Sequence, residues 1–391
     1  MSQTILGIDI AYQALKIAGL TRQGKKSRLV GIGYAPIPKD SWKTDALTNQ
    51  EEIAKTLRDL MKNAKPSSIN TKVAMIALPE MVTYSLTLTM PKLSKKELDQ
   101  ALPFEVAEKL SINLDEYIID YEASSSAYNF GIASNATPPI EPTAAVGNDL
   151  LPNERKSDAP ANLPSTKASP EPDVKPPSEN EDKDTDKSKN MTVAAASVSP
   201  GQPQIAIFAV AAKKTLIQSV MDFCELAHLE LAGIDVKAGC IIRSLIKDDD
   251  SKIRLIVDLG ANATGVNVAE GRSTRLISAV PLGTNNYKGE GDQAQLEAFK
   301  TQAEPIFDEI VHVTKFYQNR ICPGSRVESI ILVGGGSDII GIDELFKQET
   351  GLPTTIGDPF GLIDTHHFPI PKELAHKYAD SLGLALRNPH D

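Results

Sequence analysis

The sequence predicts an α/β protein with two similar β/α halves around a cleft and a small inserted α+β subdomain that carries a long disordered loop. Three observations support this prediction. Each half opens with an apolar strand that ends in aspartate and turns into a second strand, at 4–17 and 254–269. A glycine triplet follows a late apolar strand, at 334–336. Finally, residues 131–203 contain no aromatic residue, which separates them from the folded body.

The aromatic-free stretch also explains the high proline content of the chain. Of the 26 prolines, 12 lie in 131–203, together with 11 acidic and 7 basic residues. A segment of this composition cannot bury enough apolar surface to offset the entropy lost when its backbone is ordered. We therefore interpret it as disordered. It is either a tolerated surface insertion or a tether that recruits a partner.

In the first half, three short β-rich runs separated by polar turns predict an antiparallel meander over 4–34. Apolar residues at helical spacing predict an amphipathic helix over 51–63, and the apolar run 73–78 predicts a buried strand. We assign residues 1–82 to the first half and expect a C-terminal helix at 374–388 to complete it.

The inserted subdomain is predicted over 83–213. Ser94 and Glu97 form the capping-box pattern that opens a helix, in which each side chain bonds the other residue's backbone N–H. The three predicted strands of this subdomain lie at 83–90, 117–121 and 204–211. The disordered segment would connect the second and third of these strands.

The second half, 214–373, repeats the order of the first. A helix at 214–227 and a short strand at 232–236 are followed by another strand-turn-strand unit, a helical stretch at about 292–320 and a strand at 329–333. This is a duplication of topology and not a short-period repeat.

Composition excludes several classes of protein. The formal net charge of -10 argues against binding the phosphate backbone of nucleic acid, which needs clustered positive charge. The three cysteines form no CxxC pair, so neither a zinc site nor a disulfide framework is indicated. No apolar run approaches the roughly 18 residues that a membrane span needs. We expect a cytoplasmic protein without direct membrane insertion.

The chemistry is concentrated in three loops, and their order along the chain is more informative than any single loop. Strands that end at Asp9 and Asp258 present a carboxylate and the N–H groups of a turn at one point. Two such turns facing each other could clamp a phosphate chain and its Mg²⁺. The triplet at 334–336 lets the backbone approach a flat ligand, because no Cβ intervenes. Taken singly, each pattern also occurs at ordinary hairpins and strand exits.

The layout resembles the actin and sugar-kinase type of ATPase fold. It resembles more closely the PilM family of type IV pilus assembly proteins, which are related to the division protein FtsA. The likeness extends over nearly all of the chain outside 131–203. Further segments that look like family markers lie at 101–110, 114–121, 274–283, 309–310, 316–317, 351–353, 358–360 and 382–386.

This resemblance implies an actin-like, ribonuclease H-type fold that binds ATP and Mg²⁺. The first phosphate loop would run from Asp9 to Lys16, and the second from Asp258 to Thr264. Asp9 and Asp258 would hold the metal through the bound ATP, and Glu309 would reach the nucleoside from its helix. The nucleotide contacts implied in this way are Asp9, Lys16, Asp258, Gly260, Asn262, Thr264, Glu309, Gly334, Gly335 and Gly336.

The chain departs from the family pattern in the first phosphate loop. Family members usually have glycine followed by Ser or Thr residues there, whereas this chain has Ala-Tyr-Gln-Ala at 11–14. On the adenosine helix, His312 and Val313 stand where the family more often has Arg and Ser. Hydroxyl donors and a close backbone approach are therefore missing. We expect ATP binding with weak or absent hydrolysis, and we identify no catalytic residue.

The resemblance implies a scaffold in the type IV pilus platform. Such a protein captures the cytoplasmic N-terminal tail of the membrane protein PilN beside the inserted subdomain and links the platform to the pilus motors. We expect it at the inner face of the inner membrane through partners, and a homo-oligomer is compatible with this role. One alternative is an actin-fold small-molecule kinase, which needs a catalytic base and a sugar-binding set. Another is an FtsA-like filament-forming division protein, which needs a C-terminal amphipathic helix for membrane attachment.

Overall fold

The computed structural model describes residues 3–24, 26–39, 41–123, 204–287, 289 and 291–387. The segment 131–203, which we interpreted as disordered, lies outside these residues. The strands are β1 (Thr4–Ile10), β2 (Ala14–Gln23), β3 (Lys26–Pro36), β4 (Trp42–Lys43), β5 (Ala46–Leu47), β6 (Lys65–Pro66), β7 (Val73–Leu78), β8 (Thr83–Pro91), β9 (Tyr117–Ala123), β10 (Gln204–Lys213), β11 (Glu230–Val236), β12 (Ile253–Leu259), β13 (Thr264–Glu270), β14 (Ser273–Val280), β15 (Ser329–Val333) and β16 (Thr354–Ile356).

The helices are α1 (Gln50–Asn63), α2 (Lys95–Leu110), α3 (Lys214–Leu226), α4 (Lys237–Leu245), α5 (Asp292–Gln302), α6 (Glu304–Phe316), α7 (Ile342–Thr350), α8 (Lys372–Ala375) and α9 (Ala379–Leu386). A π-helical turn, Tyr317–Ile321, continues α6, and 3₁₀ turns lie at Glu80–Val82, Gly335–Asp338 and His376–Tyr378. The helical stretch predicted at 292–320 is therefore two helices and a π turn. No helix among the described residues has the length and apolar character needed to cross a bilayer.

The first half is built on a mixed sheet with the strand order β11-β7-β1-β2-β3-β6. The predicted meander is confirmed, since β1, β2 and β3 pair antiparallel in sequence. β7 and β11 then add in parallel beyond β1. Buried residues of α1 and α3 join the apolar side chains of this sheet in one core, and α9 packs against the opposite face.

The first half extends further along the chain than we predicted. α3 and β11 belong to its core and its sheet, although both lie beyond the predicted boundary at residue 213. The physical reason is that β11 is an outer parallel strand, which pairs with β7 from Glu230 to Val236 and needs the crossover helix α3 before it. The chain passes into the second half at α4.

The second half contains a five-stranded sheet with the order β14-β13-β12-β15-β16. β12 and β13 form the predicted antiparallel unit, and β15 pairs in parallel with β12. Residues of α6 and α7 pack on one face, whereas apolar residues of α4 pack on the other. The duplicated halves predicted from the sequence are thus present, with strands β14 and β16 in addition.

The inserted module is a three-stranded sheet with the order β8-β10-β9, covered on one face by α2. The predicted capping box is confirmed, because the Glu97 N–H donates to Ser94 Oγ and the Ser94 N–H donates to Glu97 Oε2. β8 packs beside β14, where the Thr87 hydroxyl donates to the Arg275 carbonyl. The module is therefore attached to the second half.

Two glycines allow α9 to pack closely where the halves meet. A Cβ on Gly383 would lie 1.8 Å from the Cys240 carbonyl oxygen of α4. A Cβ on Gly7 in β1 would lie 1.9 Å from the Ser381 carbonyl oxygen of α9. Any larger residue at either position would push the backbones apart, so these glycines fix how closely α4, α9 and β1 approach each other.

Candidate functional site

The two strand-end aspartates lie at equivalent positions in the two sheets. Asp9 is the penultimate residue of β1, and its register partner on β2 is Lys16. Asp258 is the penultimate residue of β12, and it is paired with Gly265 on β13. Both carboxylates interact electrostatically with the same lysines, so the fold brings the two predicted phosphate loops to one charged cluster.

Asp9 is fully buried and carries two ion pairs. Lys16 Nζ donates to its Oδ2 at 2.8 Å, and Lys237 Nζ lies 3.0 Å from its Oδ1. Burial alone would raise the pKa of this carboxyl, but the charges of the two lysines and their hydrogen bonds outweigh it and lower the pKa to about 2. Asp9 is therefore an ionised carboxylate whose Oδ2 accepts a hydrogen bond from Lys16 and whose Oδ1 has an ion-pair contact with Lys237 but no hydrogen bond of good geometry.

Lys237 is a central member of the cluster that the sequence reasoning missed. It is the first residue of α4, where the helix dipole disfavours positive charge. This unfavourable interaction with the helix dipole is offset because Lys237 Nζ pairs with Asp9 and lies 3.6 Å from Asp380 Oδ2 on α9. These partners raise its pKa well above the ordinary lysine value despite its burial. The available signal was a lysine at a helix start, where acidic residues are preferred.

Three more ionisable side chains, Asp380, Glu80 and His376, interact electrostatically with members of this cluster and were also missed. Burial raises the pKa of Asp380 to about 8 and also raises that of Glu80, while Lys237 opposes both shifts. His376 Nε2 lies 3.1 Å from Asp338 Oδ1, and burial lowers its pKa. They come from the start of α9 and from two 3₁₀ turns, so no motif unites them along the chain.

Asp258 differs from Asp9. Its side chain makes no hydrogen bond and no ion pair within 4 Å to the rest of the chain that the structure describes. Burial raises its pKa, with Lys237 and Lys16 acting in the opposite direction. A Cβ on Gly334 would lie 2.3 Å from Asp258 Oδ1, so the glycine backbone sits directly against this carboxylate.

The second phosphate loop is a tight turn held by its own bonds. The Gly260 N–H donates to the carbonyls of Asp258 and Ala263. The Thr264 hydroxyl is buried and donates to the Leu282 carbonyl at 2.7 Å, so a phosphate contact from this hydroxyl would need that bond to break. Asn262 Oδ1 accepts from Asn285 Nδ2 at the exposed end of the loop.

The glycine triplet begins the turn after β15. Gly334 has a φ of 81°, and a Cβ on Gly336 would lie 2.6 Å from the Leu259 Cβ, so both positions need glycine for the fold itself. Gly335 differs, because a Cβ there would meet nothing within 4 Å. Of the three glycines of the triplet, only Gly335 has open space beside it that a ligand could occupy.

Glu309 is anchored to the second sheet. Ser278 Oγ on β14 donates to Glu309 Oε1 at 2.6 Å, so the second sheet holds this α6 carboxylate in place. One turn further along α6, the His312 ring stacks on Phe316 at a centroid distance of 6.5 Å. These rings line a shallow surface cavity of about 230 Å³.

These contacts test whether the residues present fit ATP and Mg²⁺. Lys16 and Lys237 are cations suited to phosphate oxygens, and Asp258 is a carboxylate with no competing partner among the described residues. Asp9 does not fit the metal role, because each oxygen already contacts an ammonium group. Among the residues that the structure describes, no cluster of three or more His, Cys, Asp or Glu side chains forms a metal site.

Comparisons with known proteins agree with the family resemblance. The family model described as type IV pilus assembly protein PilM matches residues 7–131, which confirms the likeness inferred from the sequence. A solved PilM-PilN type IV pilus biogenesis complex is 17% identical, with 98% of this chain and 97% of that chain covered and a TM-score of 0.65. This likeness shows that the chain shares the fold of that structure.

More distant likenesses have TM-scores below 0.5. The ethanolamine utilization protein EutJ of Carboxydothermus hydrogenoformans is 12% identical, covering 99% of this chain and 89% of that chain with a TM-score of 0.45. MreB5 of Spiroplasma citri bound to AMPPNP is 9% identical, covering 97% and 94% with a TM-score of 0.41.

Proposed function

We propose that this chain, whose residues 7–131 match the PilM family, is a scaffold of the type IV pilus inner-membrane platform that binds the cytoplasmic N-terminal tail of PilN. The observation that carries the proposal is the family match, which begins in β1, includes β8, α2 and β9, and ends at residue 131, before β10 of the inserted module. The fold shared with the PilM-PilN complex supports it. On this proposal the protein is cytoplasmic, and it reaches the inner face of the inner membrane, other platform proteins and the motors through partners.

The inserted module offers an apolar contact for such a tail. Phe104 lies in the family-like segment of α2, and 56% of its side chain is exposed, whereas Leu102 and Val106 on the same helix are buried in the core of the module. Ile118 on β9 is 47% exposed. Exposed aromatic and apolar side chains beside a small sheet are typical anchors for a peptide.

Calorimetry with a synthetic PilN N-terminal peptide tests the proposal. We expect saturable one-to-one binding to the full chain, weakened about tenfold or more by Phe104→Ala, because loss of a buried aromatic anchor removes roughly 2 kcal/mol. Met221→Ala is the matched control, because Met221 is 50% exposed but lies on α3, outside the module. No heat with the peptide, or equal weakening by both variants, would contradict the proposed role or its site.

We also propose that the cleft binds ATP through Lys16, Lys237 and the turn at Gly335, with Asp258 as the carboxylate suited to the Mg²⁺ that accompanies it. The charge and free donors of the lysines support this assignment, as does the free space beside Gly335. Bound Mg²⁺ would supply charge neutralisation for the phosphates. The first turn contains Ala-Tyr-Gln-Ala instead of hydroxyl residues, so we propose binding with weak or absent hydrolysis.

Fluorescence titration with mant-ATP tests the nucleotide assignment. Gly335→Val is expected to weaken binding about tenfold while leaving the melting temperature unchanged, because the new side chain would meet the ligand and not the protein. An unchanged affinity in this variant would remove the triplet from the nucleotide site.

A further inference from the structure

The position of Lys237 suggests that this cleft carries its own cation. We propose that the Lys237 ammonium takes the place of a divalent metal at Asp9, so that Lys16 and Lys237 hold the phosphates of a nucleoside triphosphate and binding does not require the Mg²⁺ that Asp258 is suited to accept. This inference rests on the nucleotide site of the proposed function. It concerns what neutralises the phosphates, and it is independent of the peptide site.

Asp9 is already paired with cations of the protein itself. Its carboxylate has no exposed surface, and its two oxygens contact two different ammonium groups at 2.8 and 3.0 Å. A metal ion or its water shell would have to displace at least one lysine from a buried ion pair. Separating a buried ion pair is strongly unfavourable, because it leaves a charge without a partner. The carboxylate of the first loop is therefore neutralised from within the protein.

The two lysines have more N–H donors than their carboxylate contacts use. An ammonium group has three N–H donors. Lys16 Nζ contacts Asp9 alone among the described carboxylates, and Lys237 Nζ contacts Asp9 closely and Asp380 at the longer distance of 3.6 Å. Each lysine retains donors for an anionic oxygen. Both side chains also keep some exposure, 16% and 11%.

These two lysines come from different parts of the fold. Lys16 is on β2 of the first sheet, whereas Lys237 begins the helix that packs on the second sheet. A polyphosphate that contacts both lysines would be bound by both halves of the fold. A bridging metal normally provides this kind of contact between phosphate oxygens and protein groups. Here two fixed ammonium groups can provide it as charge-assisted hydrogen bonds.

The test compares mant-ATP affinity of the full chain with excess Mg²⁺ and with EDTA. For the wild type we expect the two affinities to agree within about threefold. In EDTA, Lys237→Met should weaken binding by about 10- to 100-fold, as expected for loss of a charge-assisted hydrogen bond. The same variant removes the cation that contacts Asp9 Oδ1, so adding Mg²⁺ should restore much of the variant's affinity for mant-ATP. Binding by the variant would then depend on Mg²⁺, whereas binding by the wild type would not.

Two further variants serve as controls for this test. Lys237→Arg keeps the charge and should retain metal-free binding, which separates the loss of the cation from a folding defect. Lys347→Met on α7, an exposed lysine paired with Glu344, should leave affinity unchanged in both buffers.

Three outcomes would overturn the inference. These are a wild-type affinity that falls more than about tenfold in EDTA, a Lys237→Met variant that binds like the wild type, and no mant-ATP binding in either buffer. Calorimetry with the PilN peptide on the same protein distinguishes these failures from failure of the scaffold role. If the protein binds the peptide, the scaffold role is supported even when nucleotide binding depends on metal or is absent.

Discussion

Asp9 and Asp258 follow the same local pattern, an apolar strand ending in aspartate and a tight turn into the next strand, yet they are electrostatic opposites. Asp9 is fully buried, pairs with two lysines, and has a pKa lowered to about 2. Asp258 has no ionic partner within 4 Å among the described residues, and burial raises its pKa. The strand pattern fixes where each carboxylate lies. Its partners, which come from elsewhere in the fold, fix its charge state.

The largest expected difference between them concerns stability. Asp9→Ala should lower the free energy of unfolding by about 3–5 kcal/mol, because it leaves Lys16 and Lys237 buried without their shared partner. Asp258→Ala should change it by less than about 1 kcal/mol, because it removes a desolvated group that has no ion pair to lose. Urea unfolding of both variants measures this difference, and equal losses would contradict the comparison.

The backbone beside Asp258 provides the next test. Gly334→Ala should lower stability by about 2 kcal/mol or more, because φ is 81° and the new Cβ would lie 2.3 Å from Asp258 Oδ1. Gly335→Ala is the matched control, with nothing within 4 Å of its Cβ, and should be neutral. Thermal unfolding measures both variants. Equal melting temperatures for the two variants would contradict the close contact between Gly334 and the Asp258 carboxylate.

The third carboxylate near Lys237 adds a pH dependence. The pKa of Asp380 is raised from 3.8 to about 8 by burial, so the folded state binds a proton that the unfolded state has released. The unfolding free energy should therefore fall as pH rises from 3.8 to about 8, by up to about 1.4 kcal/mol per pH unit. Asp380→Asn should flatten the profile in that window. A profile unchanged by this substitution would show that Asp380 is ionised in the folded protein.

The Asp9 contribution has the opposite sign and a different window. Its folded pKa is lowered from 3.8 to about 2, so it stabilises the fold above 3.8 and this stabilisation is lost as pH falls through about 2. The shift corresponds to about 2 kcal/mol. Stability of the Asp380→Asn variant, followed from neutral pH to acid, should therefore show the loss that Asp9 produces.

The smallest expected effect involves Glu309. Ser278→Ala removes the hydroxyl that donates to its carboxylate at 2.6 Å, and should lower stability by about 1 kcal/mol because Glu309 is only half-buried. Ser325→Ala, which loses a side-chain bond to the Cys322 carbonyl, is a control for removing a serine hydroxyl away from the cleft. If Glu309 reaches the nucleoside, only Ser278→Ala should also change mant-ATP affinity.

Sequence patterns predicted most of the fold because the patterns involved are local. The β1-β2-β3 meander, the capping box of α2 and the strand-turn-strand unit at β12 and β13 follow from alternation, helical spacing and caps within a few residues. The boundary at residue 213 was misplaced because pairing of β11 with β7 joins strands about 155 residues apart, and no local signal reports such a contact.

The site was predicted only in part for the same reason. Asp9, Asp258 and the glycine triplet belong to recognisable strand ends. Lys237 and Asp380 were missed because no motif links them along the chain, and only the close packing of α4 on α9 brings them together. Ion pairs between such distant residues decide whether Asp9 can hold a metal.

The most direct test of this electrostatic contrast is a carboxyl ¹³C NMR titration of the full chain, with the two aspartates assigned from the spectra of Asp9→Asn and Asp258→Asn. The structure predicts that Asp9 titrates near 2 and that Asp258 titrates above the ordinary value of 3.8. Two aspartates that titrate together near 3.8, or in the reverse order, would contradict the internal neutralisation of Asp9 by Lys16 and Lys237.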